Sequence, residues 1–269
     1  MRNLLVKGWI TTIQHKYVLV LLFLYRLLWG FVFYRFIDSV VTPILSRYPK
    51  EHPNEAAAQL FLIEAQFRLL KTDLMNEALL TLGAMLFIRM LLTPVLNAGL
   101  YYSFHHAVEG EGTQVLTGIR RVWKPVTMLY WLENALILLP AIWLLPLAKE
   151  RFFSEASLAN WAQGLLPFAI AWIIGGFLIH LMFQFMQFSV VSKEGIMQGI
   201  RQTFRRGLPL LLLTLLFIGI AIAFAAVASS ITLLWSGFIA VALHQTSHLI
   251  RSLITLWTAA SQYHVWRET

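Results

Sequence analysis

Polar side chains recur at helical spacing inside long apolar stretches of this sequence. They are Arg89, Thr93 and Asn97 in one stretch, His180, Gln184 and Gln187 in a second, and His244, His248 and Arg251 in a third. Spacings of three and four residues put the members of each set on one helical face. Imidazole, amide and guanidinium groups can bind an anionic group, and an imidazole can also carry a proton. We interpret these three faces as a candidate binding site.

Charges inside the apolar stretches are unequal in sign, with four arginines against two carboxylates. They are Arg26, Arg35, Arg89, Arg251, Asp38 and Glu133. A charge at membrane depth costs at least about 2.5–3.5 kcal/mol, so Glu133 must reach an arginine or histidine of another helix. Two interpretations of the surplus arginines are open. They reach the interface, backbone carbonyls or a partner subunit, or they form an interior basic site for a phosphate or carboxylate.

Metal and catalytic signatures are weak. His244 and His248 have a spacing that suits a metal ion, as do His105 and His106 with nearby glutamates, but no third ligand is defined and the His-Glu-x-x-His pattern is absent. No Gly-x-Ser-x-Gly motif or phosphate-binding glycine loop occurs. We therefore predict no catalytic residue, no metal and no cofactor. An intramembrane enzyme is a minor alternative, supported only by titratable groups at bilayer depth.

Composition indicates an integral membrane protein. Hydrophobic residues make up 58% of the chain and charged residues 13%, and the mean hydropathy is +0.68. The net charge of +8 comes from basic residues in short groups beside apolar stretches. This arrangement is typical of cytoplasmic flanks of membrane helices, so we do not expect nucleic acid binding.

Six stretches are long enough to cross the bilayer at about 1.5 Å per residue. They are Val18 to Val41, Ala78 to Tyr102, Val126 to Ala148, Gly164 to Val191, Leu208 to Trp235 and Phe238 to Ser261. Most flanking Lys and Arg residues fall on the side of the two termini, which predicts cytoplasmic termini. A further amphipathic helix, at about residues 54–74, is expected on the outer surface.

A basic segment recurs along the chain. The sequence from Gly118 to Pro125 returns from Gly199 to Arg206, and each copy precedes an apolar stretch. A weaker copy at the N-terminus carries Leu5, Trp9 and Ile13 on one side. We predict an all-α polytopic fold of six transmembrane helices. It would comprise three units of one amphipathic surface helix and two spanning helices, at about residues 1–108, 109–191 and 192–269.

This layout resembles a group of bacterial six-helix membrane proteins that includes the membrane domain of some glycerophosphodiester phosphodiesterases. The resemblance rests on Glu109-Gly110 and Glu194-Gly195 at the ends of even-numbered helices and on the Gly-Ile-Arg segments that open the next units. It implies a bacterial cytoplasmic membrane location and a connection to lipids. The enzymatic domain of the named family has no counterpart here, so no catalytic residue carries over.

Two functions fit these features. The first is a non-enzymatic membrane protein that binds or helps to move an anionic or amphiphilic, lipid-like substrate through a polar interior lined by helices two, four and six. Its site would comprise Arg89, Asn97, Glu133, His180, Gln184, His244, His248 and Arg251. The second is a structural or regulatory subunit that docks a soluble partner such as a transport ATPase. Its docking residues would be Arg120, Arg121, Lys124, Arg201, Arg205 and Arg206.

Overall fold

Every regular element in the described part of the chain is an α-helix. The computed structural model describes residues 2–45, 74–108, 113–154, 158–234 and 238–268. The helices are α1 (Arg2–Gln14), α2 (Lys16–Leu45), α3 (Leu74–Val108), α4 (Val115–Leu138), α5 (Ala141–Ser154), α6 (Leu158–Val191), α7 (Ile196–Leu234) and α8 (Phe238–Arg267). The all-α prediction is confirmed for these ranges. The amphipathic helix predicted at about 54–74 falls outside the described residues, apart from Leu74.

Five described helical stretches are long and apolar enough to cross a membrane. They are Lys16–Val40, Asn76–Ala107, Val115–Ala148, Gln163–Val191 and Ile196–Ile231. They correspond to the first five predicted spans, and they are consistent with a membrane protein. The sixth predicted span lies in α8, which is a continuous helix but is not among these candidates. Its polar residues, such as His248 and Arg251, lower its hydropathy.

The recurring basic segments form the first turns of long helices. Arg120 and Arg121 lie in α4, and Arg201 and Arg205 lie in α7, and both helices continue without a break into apolar sequence. Only the N-terminal copy is a separate helix, since α1 ends at Gln14 and α2 begins at Lys16. The predicted surface helices are therefore continuous with the spanning segments in the second and third copies.

Proline has different effects at different positions. Pro94 lies inside α3, Pro167 inside α6 and Pro209 inside α7, and each of these helices runs through the proline. At Pro140 the helix instead stops, because α4 ends at Leu138 and α5 begins at Ala141. A proline has no backbone N–H to donate and its ring crowds the preceding turn, so a break here needs no other cause.

The chain forms two compact units. The smaller unit comprises residues 20–92, and the larger comprises residues 1–19 together with 93–269. In the smaller unit, Trp29 and Phe33 of α2 and Leu82, Leu86 and Arg89 of α3 line a small hollow. Among the residues that the structure describes, the buried side chains belong to the larger unit.

In the larger unit, neighbouring helices pack in the order α4, α6, α7, α8, α1, and α5 lies against α6. The N-terminal helix α1 is therefore held by the C-terminal helix α8. Trp9 and Trp257 meet edge to face at 5.0 Å, and the Trp257 indole N–H donates to the Leu5 carbonyl at 3.0 Å. Lys7 and Glu268 form an ion pair at 2.7 Å, so the two ends of the chain lie together.

Glycines allow close helix contacts at the starts of three helices in this unit. A Cβ on Gly8 would lie 2.9 Å from the Ser261 Cα, and one on Gly199 would lie 2.6 Å from the Met186 Cα. A Cβ on Gly118 would lie 2.8 Å from the Tyr102 Cγ. Real Cβ atoms do not approach so closely, so any larger residue would push these helices apart.

Candidate functional site

A carboxylate is buried between α4 and α6. Glu133 is 4% exposed, and its Oε1 accepts a hydrogen bond from the His180 Nδ1 at 2.6 Å. Its other oxygen, Oε2, accepts from the Gln187 Nε2 at 3.3 Å. The prediction that Glu133 must reach a histidine or arginine of another helix is confirmed, and the partner is His180. This hydrogen bond lowers the cost of a charge in an apolar region.

A second set of hydrogen bonds connects α6, α8 and α7. The Gln184 Nε2 donates to the Gln262 Oε1 at 2.7 Å, and the Gln262 Nε2 donates to the Thr214 Oγ1 at 2.9 Å. Thr214 in turn donates to the Leu210 carbonyl at 2.7 Å, which ends the chain of donors. We call Glu133, His180, Gln184, Gln187, Gln262 and Thr214 the polar network.

Two acceptors in the polar network have no donor. They are the Oε1 atoms of Gln184 and Gln187, which are buried without a hydrogen bond. An unpaired buried acceptor costs about 1–3 kcal/mol. Together with the Glu133 carboxylate they make this region rich in acceptors and poor in donors. Such a site favours a proton, a water molecule or another donor, and it disfavours an anion.

Aromatic rings close the core next to the polar network. Phe104 of α3, Phe188 of α6 and Tyr263 of α8 are fully buried. Ring centroids are 5.3 Å apart for Phe188 and Tyr263, 6.0 Å for Phe104 and Tyr263, and 4.7 Å for Phe188 and Tyr101. Edge-to-face and tilted contacts at these distances are favourable. The helices meet here in a packed aromatic cluster.

The structure brings together only part of the predicted substrate site. Glu133, His180 and Gln184 join the polar network, whereas Arg251 is exposed on α8, and His248 and Asn97 are half-buried. Arg89 is exposed in the smaller unit. The side chain of His244 lies outside the described residues. In the larger unit, the charged residue at the centre of the predicted site is therefore a carboxylate and not an arginine.

The predicted docking residues lie at the starts of α4 and α7. Arg120, Lys124, Arg201 and Arg205 are exposed. Two others also make hydrogen bonds within the chain, since Arg121 donates to the Tyr102 hydroxyl at 3.1 Å and Arg206 donates to the Glu268 carbonyl. The first four therefore offer basic surface for a ligand.

An apolar groove lies between α6 and α7. It has a volume of about 410 Å³. The lining comprises Leu178, Ile179, Leu181 and Met182 from α6 and Thr203, Phe204, Gly207, Leu208, Leu210 and Leu211 from α7. Gly207 leaves open space, since nothing lies within 4 Å of a Cβ built on it. The groove begins in the same turns of α7 that carry Arg201 and Arg205.

His264 lies where α1 meets α8. Its Nε2 is 2.9 Å from the Thr11 Oγ1, and this hydroxyl donates to the Lys7 carbonyl at 3.1 Å, so the imidazole is the donor to Thr11. Burial lowers the pKa of His264, the nearby charges of Lys7 and Arg267 lower it further, and Glu268 opposes them. The neutral imidazole is the form that fits this interface.

Metal ligands do not cluster in the described ranges. No group of three or more His, Cys, Asp or Glu residues in them could hold an ion. No family model, curated protein or solved structure matches this chain. The resemblance to the phosphodiesterase membrane domain therefore stays a prediction.

Some residues of the polar network were not in the predicted site. Gln187 shares the predicted polar face of His180 and Gln184, and Gln262 continues the helical spacing of His248 and Arg251, but Thr214 belongs to no predicted face. The recurring segment does indicate a polar position at Thr214. Thr214 follows Gly199 by fifteen positions, the same separation as that between Gly118 and Glu133. The aromatic cluster had no comparable signal, since its residues resemble any other lipid-facing aromatic residues in the sequence.

Proposed function

We propose that this protein is a non-enzymatic membrane protein that binds, or helps to move, an anionic amphiphile of lipid type. The amphiphile's chain would lie in the groove between α6 and α7, and its headgroup would meet Arg201 and Arg205. The observation that carries this proposal is the apolar groove that opens beside exposed arginines on the same turns of α7.

The groove suits an acyl chain in shape and chemistry. Its lining is almost entirely aliphatic and aromatic, and Thr203 is the polar exception at the end near the arginines. A lipid already in the bilayer gains little hydrophobic free energy by entering such a groove, because its surroundings were apolar before. Shape and the headgroup contacts must therefore provide the selectivity.

The headgroup contacts would favour a negative charge. Arg201 lies three residues before Phe204, less than one helical turn from the groove lining, and Arg205 follows directly after Phe204. Basic residues at a membrane surface contribute about 1 kcal/mol each to binding of anionic lipid. The polar network is a poorer candidate for the same ligand, because Glu133 would repel it.

The three-unit organisation is part of this proposal. Gly8, Gly118 and Gly199 each open a unit, and they contact Ser261, Tyr102 and Met186 respectively. The three contacted residues each lie on the second spanning helix of a unit. For Gly118 and Gly199 this is the unit before the glycine's own, and for Gly8 it is the third unit. In this proposal the basic helix starts lie on the cytoplasmic face of a bacterial membrane.

A partner-docking subunit is the second candidate. Arg120 and Arg201 follow Gly118 and Gly199 by two positions, and both are exposed. A soluble partner that recognises two equivalent basic helix starts would use both arginines. A lipid in the groove would use Arg201 but not Arg120, since the groove lining comes from α6 and α7 alone.

The test measures lipid retention by native mass spectrometry, with purified protein exposed to equal amounts of phosphatidylglycerol and phosphatidylcholine. We expect a preference for phosphatidylglycerol that falls roughly fivefold for each of Arg201→Ala and Arg205→Ala, from about 1 kcal/mol each. Gly207→Phe should fill the groove and abolish retention of either lipid. Gly219→Phe is the matched control, because Gly219 lies on the same helix and also faces open space.

Arg120→Ala distinguishes the two candidates. Unchanged lipid retention in this variant supports the groove, whereas an equal loss in Arg120→Ala and Arg201→Ala indicates a general basic surface, as partner docking requires. Retention of phosphatidylglycerol that is insensitive to Gly207→Phe would refute the groove as the lipid site.

A further inference from the structure

We infer that Glu133 and His180 form a proton-binding site inside the membrane-spanning region. This site is separate from the groove and does not depend on the proposed function. Its basis is a buried carboxylate whose only titratable hydrogen-bond partner is an imidazole, beside two buried acceptors that have no donor.

The first step is the direction of the hydrogen bond. The Glu133 Oε1 can only accept while it is ionised, so the hydrogen in the 2.6 Å contact lies on the His180 Nδ1. The other ring nitrogen of a neutral His180, Nε2, then carries a lone pair. The His180 side chain is 55% exposed, whereas the Glu133 side chain is 6% exposed. The imidazole therefore reaches the surface of the described helices, whereas the carboxylate does not.

Proton uptake then balances within the pair. A proton binds to Nε2, and the Nδ1 proton moves to the Glu133 Oε1 across the existing hydrogen bond. His180 ends as the neutral tautomer with hydrogen on Nε2, and Glu133 ends as a neutral carboxylic acid. The pair has gained one proton and its charge has changed from minus one to zero. A short hydrogen bond between imidazole and carboxylate makes this transfer possible at either stage.

Gln187 lets the network accommodate the proton. In the ionised state its Nε2 donates to the Glu133 Oε2, and its Oε1 has no partner. In an alternative product with the same number of protons, His180 keeps its hydrogen on Nδ1 and the acid proton lies on the Glu133 Oε2. A half-turn of the Gln187 amide then brings its Oε1 to accept that proton. Gln187 is only 2% exposed, so water from outside does not compete for this position. Protonation of Glu133 thus supplies a hydrogen-bond donor for the Gln187 Oε1.

The groups that face Glu133 come from several helices. His180 contacts Glu133 from α6, and the buried Tyr101 of α3 is close enough to interact with it electrostatically. The neighbouring parts of the polar network on α7 and α8, Thr214 and Gln262, do not titrate. No lysine or arginine among the described residues is bonded to Glu133. Among the described residues, His180 is therefore the titratable group in hydrogen-bond contact with Glu133.

Infrared spectroscopy of the protein in lipid nanodiscs tests this inference. We expect a carboxylic-acid C=O band that grows as the pH is lowered from 9 to 5 and that is missing in Glu133→Gln. The matched control is Glu194→Gln, which removes an exposed glutamate in the turn before α7 and should leave the band intact. His180→Leu removes the hydrogen-bond donor to the Glu133 Oε1, so the frequency of the band and its dependence on pH should both differ from those of the wild-type protein.

A second measurement covers the case in which Glu133→Gln does not fold. Wild-type protein labelled with carboxyl-¹³C glutamate should show an isotope shift of the titrating band, and His180→Leu should move its midpoint. The inference is overturned if no isotope-sensitive carboxylic-acid band changes between pH 5 and 9, or if the band persists in folded Glu133→Gln.

Discussion

Gly8 of α1 lies directly against Ser261 of α8, so that the first and last helices of the chain touch at their backbones. A Cβ on residue 8 would lie 2.9 Å from the Ser261 Cα, and Thr12, one turn later in α1, donates its hydroxyl to the Gly8 carbonyl at 2.8 Å. The contact is reinforced by the Trp257 indole, which donates to the Leu5 carbonyl. The N-terminal helix is therefore an integral part of the larger unit.

We predict that Gly8→Leu strongly destabilises the protein. The added side chain cannot fit without separating α1 from α8, and such overpacking costs about 1–3 kcal/mol. For a chain of this size the melting temperature should fall by roughly 2–4 °C for each kcal/mol. Gly219→Leu is the control, because Gly219 faces open space on α7. Equal melting temperatures in detergent for both variants would contradict the close packing of α1 on α8.

The hydrogen bond between Gln262 and Thr214 offers a second prediction. Gln262→Leu leaves the Gln184 amide without its acceptor and removes the donor to the Thr214 hydroxyl, so we expect a loss of about 1–3 kcal/mol. Thr214→Val alone should cost less. In a double-mutant cycle measured by thermal unfolding, the two changes should couple by at least about 0.5 kcal/mol. Additive effects would mean that the two side chains do not interact.

The sequence was sufficient to predict the helices and one essential contact. Apolar length predicts six stretches that can cross a membrane, and five of them are candidate spans among the described residues. The high cost of a lone charge predicts that Glu133 must reach an arginine or histidine of another helix, and in the structure it contacts His180. Both inferences rest on solvation, which acts on each residue regardless of its distant neighbours. The acceptor-rich side of the site could not be predicted in this way, because it depends on which faces of α4, α6 and α8 meet.

Arg251 illustrates what helical spacing alone cannot predict. Its spacing from His248 and Thr255 predicts a common helical face, but helical spacing does not say whether that face turns toward the core or away from it. In the structure Arg251 is exposed, while Gln262 on the same helix is buried in the polar network. The glycine contacts could have resolved this, because Gly8 and Ser261 fix the face that α8 turns toward α1.

His264 predicts a pH dependence of stability. Its pKa in the folded protein lies below the ordinary value of 6.5, so between these two values the unfolded chain binds more protons than the folded protein. The contribution of His264 to stability should therefore be constant above about pH 6.5 and should be lost as the pH decreases below it. The melting temperature in detergent should be lower at pH 5.5 than at pH 7.5, by about 2–4 °C for each kcal/mol lost.

Three variants check the role of His264. His264→Asn should remove its share of the pH dependence, since the amide does not titrate. Lys7→Gln should weaken the dependence, because the Lys7 charge helps to lower the His264 pKa, and Glu268→Gln should strengthen it, because Glu268 acts in the opposite direction. If Lys7→Gln and Glu268→Gln shift the dependence in the same direction, His264 is not its source.

The proximity of the two chain ends predicts that α8 crosses the membrane. Lys7 precedes the first candidate span and Glu268 follows α8, yet their side chains meet at 2.7 Å. Residues in contact at a membrane surface lie on the same side, so the number of crossings between them must be even. Five candidate spans in the described ranges separate Lys7 from Glu268, and α8, with 30 residues, is long enough to be the sixth.

Because the chain contains no cysteine, single introduced cysteines can test this topology without background labelling. A membrane-impermeant maleimide applied to intact spheroplasts should label Ser230→Cys, near the end of α7, and should not label Glu194→Cys or Glu268→Cys. After the cells are opened, all three should react. Labelling of Glu268→Cys in intact cells together with Ser230→Cys would show that α8 does not cross, and the polar residues of α8 would then lie outside the bilayer.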